Sequence, residues 1–288
     1  MASAVVWALL AKLTPLQVQE FIAHELKEGR VDNKKTPGPS LSAASVHYEF
    51  QVLHKALKQA VERQLIPRNP ADFVKAPRGE KAELVVLTEE EVARLLDAVK
   101  ESYLYMPTFL AIYTGMRLGE ILGLRWQDVD LTRGQIHVNQ ANCQRKVGEP
   151  QFKKPKTAKG RRVIDISASV VQALKAHKKQ QAKWRLAAGS AWQDFGLVCC
   201  LQDGRPMNPP NVSSHFADVT ARLGLPVTFH GLRHTHASLL LKAGVPAKVI
   251  SERLGHSTIA VTMDVYASVM PGMQREAANK LEDLLRSL

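Results

Sequence analysis

The 288-residue sequence predicts a mainly α protein with a small antiparallel β-sheet, divided into two domains. Apolar residues recur at helical spacing over most of its length. That period gives way to alternation only around residues 136–138 and 163–166. Pro67, Pro70 and Pro77 then interrupt the pattern and set a linker over 75–86, between domains at 1–78 and 79–288.

In the first domain Leu16, Val18, Phe21, Ile22 and Leu26 form a helical stripe that ends near Gly29. The turn residues of 33–40 make a loop. Leu41 to Leu65 is a second helix, with apolar positions at Val46, Phe50, Leu53, Leu57 and Val61. The apolar opening, Met1 to Leu13, has neither a basic leader nor a clear cleavage site, so it reads as a helix rather than a signal peptide. The second domain opens on Thr88, with Glu91 placed to complete a capping box and Val92, Leu95, Leu96 and Val99 as the buried face. Another helix runs through Phe109, Ile112 and Tyr113 to Gly115. After Trp126, Ile136 and Val138 alternate with polar neighbours, as do Val163, Ile164 and Ile166, which predicts strands. Helices follow over about 168–187, 211–223, 230–243, 246–254, 258–268 and 274–287.

Hydrophobic content of 45% and charged content of 23% are those of an ordinary soluble protein. The balance of 39 Lys and Arg against 27 Asp and Glu, a net charge of +12, favours a polyanionic partner, since each neutralised phosphate releases condensed counterions. A basic but unspecialised surface would give the same count. Cys143, Cys199 and Cys200 form no CxxC pair, which argues for a reducing compartment and against zinc. No apolar run reaches the ~18 residues of a membrane span. These features place the chain in the cytoplasm. With no GxGxxG and no Walker A loop, nucleotide-driven chemistry is excluded.

The residues able to do chemistry cluster late. His230-Gly-Leu-Arg233-His-Thr-His236 lies at the start of a predicted helix, where free N–H groups and the macrodipole favour an anion. Residues 230, 233 and 234 share one face; Leu232, His236, Leu239, Leu240 and Ala243 form the opposite apolar stripe. His236 is therefore expected to be a hydrogen-bonded core histidine, and His230 to be held neutral. Arg117 and Glu120, at i,i+3, are either a common surface ion pair or a phosphate clamp with its orienting carboxylate; spacing leaves both open. Residues 145–162 carry eight cations, including Lys153, Lys154, Lys156, Lys159, Arg161 and Arg162, against Glu149 alone; lying between the predicted strands, they form a hairpin or loop, either simply solvated or reaching a phosphate backbone. Tyr266 fits a helical stripe with Ile259, Met263 and Met270, and nothing in the spacing sets it apart from Tyr48, Tyr103, Tyr105 and Tyr113.

Five motifs taken in order carry more than any of them alone. Thr114-Gly-Met-Arg117-Leu-Gly-Glu120, Lys156-Thr-Ala-Lys-Gly-Arg-Arg162, His230-Gly-Leu-Arg233, Leu254-Gly-His256 and Tyr266 resemble, in order and spacing, the tyrosine recombinases, the family of phage and transposon integrases. The resemblance covers about residues 16–288. It implies a helical core DNA-binding domain over 1–78, shorter at its N-terminus than is usual in the family, and a catalytic domain over 79–288. It also implies roles. Arg117 and Arg233 clamp the scissile phosphate, Glu120 supports the site, and Tyr266 is the nucleophile that forms a 3′-phosphotyrosyl link. Lys156 is the general acid for the leaving 5′-hydroxyl, with Lys159 as second candidate. His230 assists proton transfer at the tyrosine, and His256 hydrogen-bonds the phosphate. Lys153, Lys154, Lys159, Arg161 and Arg162 contact DNA.

The chemistry is coherent. A phenol with a pKa near 10 needs a base or nearby cations, and an alkoxide leaving group needs an acid. The covalent link keeps the bond energy, so no metal, ATP or other cofactor is required. The implied partners are duplex DNA at a specific attachment site, three further copies in a homotetramer and accessory DNA-bending or excision factors. The last helix, with Ala277, Leu281, Leu284 and Leu285 on one face, is expected to pack on a neighbouring protomer. A truncated, non-catalytic DNA-binding regulator is the first alternative. A metal hydrolase built on His230, His234, His236 and His256 is another, weakened by the lack of suitably spaced carboxylates; a type IB topoisomerase-like activity would share the chemistry.

Overall fold

Residues 12–29, 40–77, 85–144, 150–154 and 160–255 are described by the computed structural model, and beyond them only positions 263, 282, 285 and 286. The chain divides into two units, Met1–Ala82 and Glu83–Leu288.

In the first unit, helix α1 (Pro15–Glu28) begins with a proline, whose missing N–H is one that no helix start can pair. Thr14 caps it: Thr14 Oγ1 accepts the Gln17 N–H at 3.3 Å while Gln17 Oε1 accepts the Thr14 N–H at 2.9 Å. Helix α2 (Ala43–Glu62) starts on Ser42, whose hydroxyl accepts the Ser45 N–H at 3.2 Å. Val18 and Ile22 of α1 pack on Val46, Phe50, Leu57 and Ala60 of α2, and Ile66 and Ala71 close the cluster. Pro70 opens a short 3₁₀ turn (Pro70–Phe73), capped by Asn69 Oδ1 on the Ala71 N–H at 3.0 Å. Leu16, expected in the α1 stripe, is 63% exposed, because the i,i+4 pair Val18 and Ile22 already fills the narrow contact line.

The second unit is mostly helical around a small sheet. Helix α3 (Glu89–Val99) begins with the expected box, Thr88 N–H to Glu91 Oε2 at 2.9 Å and Glu91 N–H to Thr88 Oγ1 at 3.2 Å. Helix α4 (Tyr105–Thr114) is apolar on nearly every side and buried accordingly; it stops at Gly115 with φ of +66°. Helix α5 (Leu118–Leu122) follows after two residues. Strands β1 (Val129–Asp130), β2 (Gln135–Val138) and β5 (Arg162–Asp165) form an antiparallel sheet in the order β1-β2-β5, with Ile136 opposite Ile164 and His137 opposite Val163. Ile136, Val138 and Ile164 face the core while Val163 faces out. A separate pair, β3 (Ala141–Asn142) and β4 (Phe152–Lys153), joins Ala141 to Lys153. Two-residue strands show no alternation, so the sequence reads this segment only as a hairpin or loop; Lys153 sits on a strand.

Helix α6 (Ala168–Ala188) packs Val170 and Leu174 into the core, and α7 (Pro209–Arg222) adds Val212 and Phe216. Helix α8 (Gly231–Lys242) differs from its expected two-faced form. Leu232, Arg233, Thr235, His236, Ala237, Ser238 and Leu241 are all buried, Leu239 and Leu240 are half-buried, and Ala243 is exposed. The helix is enclosed because its polar residues are paired inward: Thr235 Oγ1, for example, accepts the Leu87 N–H at 3.1 Å. Helix α9 (Ala247–Leu254) ends at Gly255, again left-handed, with φ of +66°. The helices expected over 258–268 and 274–287, and the tail contact with a second protomer, fall outside the described residues but for isolated positions. Among the described residues, no helix is long and apolar enough to cross a membrane.

Candidate active site

The N-terminal end of α8, the C-terminal ends of α4 and α9, the start of α5 and the start of β5 converge on one cluster of charged side chains. Gly115 permits the approach. A Cβ there would lie 2.3 Å from Leu254 Cδ2 and 2.6 Å from His236 Cδ2, so only glycine lets α4 end against α8 and α9.

Arg233 projects from the first turn of α8 and is 3% exposed. Its Nη1 donates to the Gly115 carbonyl at 2.7 Å and its Nη2 to the Leu254 carbonyl at 2.6 Å. Both acceptors lie at helix C-termini, where the macrodipole is negative and favours a cation. Burial, then the charges of Arg117 and Arg162, push the pKa of Arg233 down to about 9. That is still well above neutrality, so the side chain keeps its charge.

Arg117 is the residue before the first turn of α5; its side chain is 43% exposed and its Nη1 donates to Glu120 Oε1 at 2.9 Å. The geometry removes one of the two readings of this i,i+3 pair. It is no surface pair, because the Glu120 side chain is only 8% exposed. Four N–H donors surround its carboxylate. Oε1 accepts from Arg117 Nη1 and from Arg162 Nη1 at 3.2 Å; Oε2 accepts the Arg117 backbone N–H and Arg162 Nη2, each at 2.9 Å. Burial alone would raise the carboxyl pKa, but the hydrogen bonds and charges of Arg162 and Arg117 outweigh it and leave it lowered.

Arg162 corrects an expectation. Its basic surroundings suggested a DNA-contacting side chain, yet it points inward and is 6% exposed. Both η nitrogens bind Glu120, and Nε donates to the Arg253 carbonyl at 2.7 Å. By contrast Lys153, Lys154 and Arg161 are exposed. Lys156, Lys159, His256 and Tyr266 lie outside the described residues.

His230 precedes α8 with its ring exposed and set edge-on to His234, centroids 5.1 Å apart. Desolvation by the surrounding protein, followed by the charges of Arg233 and Arg117, lowers its pKa, so the imidazole is neutral and able to accept a proton. His236 is the core histidine the sequence suggested: 5% exposed, with Nδ1 donating to the Ile112 carbonyl at 2.7 Å and Nε2 accepting from Arg253 Nε at 3.2 Å. Both nitrogens are engaged, so it does not join His230 and His234 in a ligand set. Arg253 also reaches the Asp165 and Tyr113 carbonyls, at 2.9 and 3.1 Å. The sequence reading misses the bracing by Arg162 and Arg253.

His236 makes stability depend on pH in a definite direction. Burial holds its pKa down to about 4 from 6.5, so as pH falls the unfolded chain takes up the proton first. The stabilisation is complete above pH 6.5 and is lost as pH falls towards 4, about 3 kcal/mol in all. Urea unfolding at pH 7 and at pH 5 should show the loss, and His236→Gln should flatten it. Equal pH slopes for the two proteins would disprove the assignment.

In total, Arg117, Arg162 and Arg233 interact electrostatically with the single carboxylate Glu120. The cluster carries a local charge of about +2, partly buried, at a helix N-terminus. A net positive charge at a helix N-terminus favours an anion.

Residues 85–272 match the profile described as the phage integrase family. A "Tyrosine recombinase XerC-like" protein of Caldanaerobacter subterraneus subsp. tengcongensis is 32% identical over 232 residues, covering 76% of this chain and 58% of that protein. The ICEBs1 integrase of Bacillus subtilis is 28% identical over 284 residues, covering 96% of this chain and 72% of its own. The chain thus spans between about half and three quarters of these relatives' lengths. Among solved structures, the Tn1549 transposon integrase in complex with transposon right end DNA superposes with a TM-score of 0.77 at 21% identity, over 96% of this chain and 87% of that one. A lambda integrase dimer bound to a COC′ core site gives 0.59 at 22% identity, over 90% and 81%. These likenesses show a common fold, helical with small antiparallel sheets.

Proposed function

The chain belongs to the phage integrase family, and from that premise we propose that it is a site-specific recombinase that cleaves and rejoins duplex DNA through a 3′-phosphotyrosyl intermediate, without metal or ATP. The observation that carries the proposal is the cluster of three guanidinium groups around one buried carboxylate at the start of α8. Relatives named as integrases and recombinases, and two structural neighbours solved on DNA, supply the polyanion that such a cluster suits.

In this reading Arg117 and Arg233 grip the two non-bridging oxygens of the scissile phosphate and hold the charge that builds in the pentacoordinate transition state. Glu120 keeps Arg117 aimed. The Tyr266 hydroxyl attacks phosphorus as the P–O5′ bond breaks. The tyrosine proton passes to neutral His230, and Lys156 protonates the departing 5′-oxygen. His256 hydrogen-bonds the phosphate. Because a phosphodiester is exchanged for a phosphotyrosyl ester, a 5′-hydroxyl can reverse the step with no energy source. Lys153, Lys154, Lys159 and Arg161 contact the DNA backbone. The first unit binds the same duplex at an attachment site, four copies assemble through their C-terminal helices, and accessory DNA-bending or excision factors set direction. The protein of this reading works in the cytoplasm.

The test is a duplex nicked close to the cleavage position, so that the short 5′-hydroxyl fragment diffuses away after cleavage. The native chain with excess chelator should accumulate an SDS-resistant protein–DNA adduct. Tight binding with no adduct would replace the recombinase by a non-catalytic DNA-binding regulator.

A further inference from the structure

Arg162 opens β5, and its guanidinium spends all three nitrogens on the protein. Nη1 and Nη2 take the two oxygens of Glu120 at 3.2 and 2.9 Å, and Nε takes the Arg253 carbonyl at 2.7 Å. One side chain therefore ties together three segments remote in sequence: the turn that carries Arg117, the strand that follows the basic stretch, and the last turn of α9. The residue after Arg253 is Leu254, whose carbonyl Arg233 holds at 2.6 Å.

We propose that Arg162 is a positioning residue, fixing the aim of Arg117 through Glu120 and the seat of Arg233 through the end of α9. The inference rests on the reading that Arg117 and Arg233 hold the scissile phosphate. Arg117 needs such help because its own side chain is 43% exposed and little packing fixes it. Its direction depends on the plane of the Glu120 carboxylate. Arg117 alone gives that carboxylate one donor on each oxygen, Nη1 on Oε1 and the backbone N–H on Oε2. The bidentate fork of Arg162 adds a second donor to each oxygen and holds the plane against small rotations, and a guanidinium does this where an ammonium cannot. The position of Arg162 in β5 supports the role. It shares a strand face with buried Ile164, so it is anchored from both its backbone and its head group.

The experiment compares the native chain with Arg162→Lys, Arg162→Met and the double variant Arg162→Met/Glu120→Gln. Single-turnover cleavage of the nicked duplex at saturating protein is followed against pH, and DNA affinity against salt, well below each protein's Tm. Arg162→Lys should cleave roughly 10- to 100-fold more slowly, the scale of small misplacements at a reacting centre. Affinity and its salt slope should stay as in the native chain. In Arg162→Met the buried Glu120 loses its main partner, so the acid limb of the rate profile should move to higher pH; the double variant should lack that move. A rate at saturation unchanged in both single variants, with only Tm lowered, would reduce Arg162 to a structural brace and overturn the proposal. A weaker affinity with a salt slope smaller by about 0.9, at unchanged rate, would make it a phosphate contact and also overturn it. If the native chain forms no adduct, the catalytic reading falls and this role with it; if the native chain cleaves and the variants keep pace, only the role of Arg162 falls. Should Arg162→Met fail to fold, the rate and affinity of Arg162→Lys decide the matter.

Discussion

Tyr266→Phe is expected to abolish the covalent adduct while leaving DNA affinity within about twofold. The substitution removes one oxygen and keeps the ring, so packing and phosphate contacts survive while the attacking atom does not. Loss of a covalent nucleophile costs at least about 10³-fold in rate, beyond the reach of a trapping assay. The proper control is Tyr113→Phe. Tyr113 is 41% exposed near the end of α4, and its carbonyl accepts Arg253 Nη2 at 3.1 Å, which brings it close to the arginine cluster. Its ring, however, packs at a tilt of 32° against Phe109 with centroids 4.4 Å apart, and Tyr113→Phe should leave adduct yield unchanged. An adduct that persists in Tyr266→Phe, or one that vanishes in Tyr113→Phe, would move the nucleophile and with it the proposed mechanism.

Where the sequence was legible, one physical signal was strong and local. The box at Thr88 and Glu91, the helices from 168 to 254 and the strands through Ile136 and Ile164 follow from capping chemistry and from period. Arg117, Glu120, His230 and Arg233 were picked out as a group by their resemblance to a family, and the fold does bring the three side chains of Arg117, Glu120 and Arg233 into one electrostatic cluster. What the sequence concealed was direction. Arg162 was grouped with Arg161 and the lysines because charge in a basic run usually faces water. The alternation that gave β5 held the contrary signal: position 162 lies on the same face as Ile164, while Arg161 and Val163 lie on the other. The enclosure of α8 was hidden for a related reason. Its buried polar residues look exposed to a pattern of apolar spacing, and only the carbonyls left over at the ends of α4 and α9 explain how Arg233 can be inside.

That arrangement sets up the second large effect. Arg233→Lys should slow cleavage by about 10²–10³-fold, the scale for losing one preorganised donor at a developing charge. It should also lower stability by about 1–3 kcal/mol, because one ammonium cannot reach both the Gly115 and the Leu254 carbonyls and leaves a buried acceptor unpaired. Arg117→Lys separates the two effects. Arg117 is 43% exposed, and its partner Glu120 keeps the bidentate contact of Arg162, so the rate should fall with little change in Tm. Single-turnover cleavage and thermal unfolding of the two variants, measured side by side, check this. If Arg233→Lys cleaves within about threefold of the native chain, its guanidinium is there to cap two helices and the anion is held elsewhere. If Arg117→Lys loses as much stability as Arg233→Lys, the exposed arm of the cluster is part of the core. Either result would break the division of labour on which the proposed mechanism depends, in which one arginine is fixed by the fold and the other is aimed by a carboxylate.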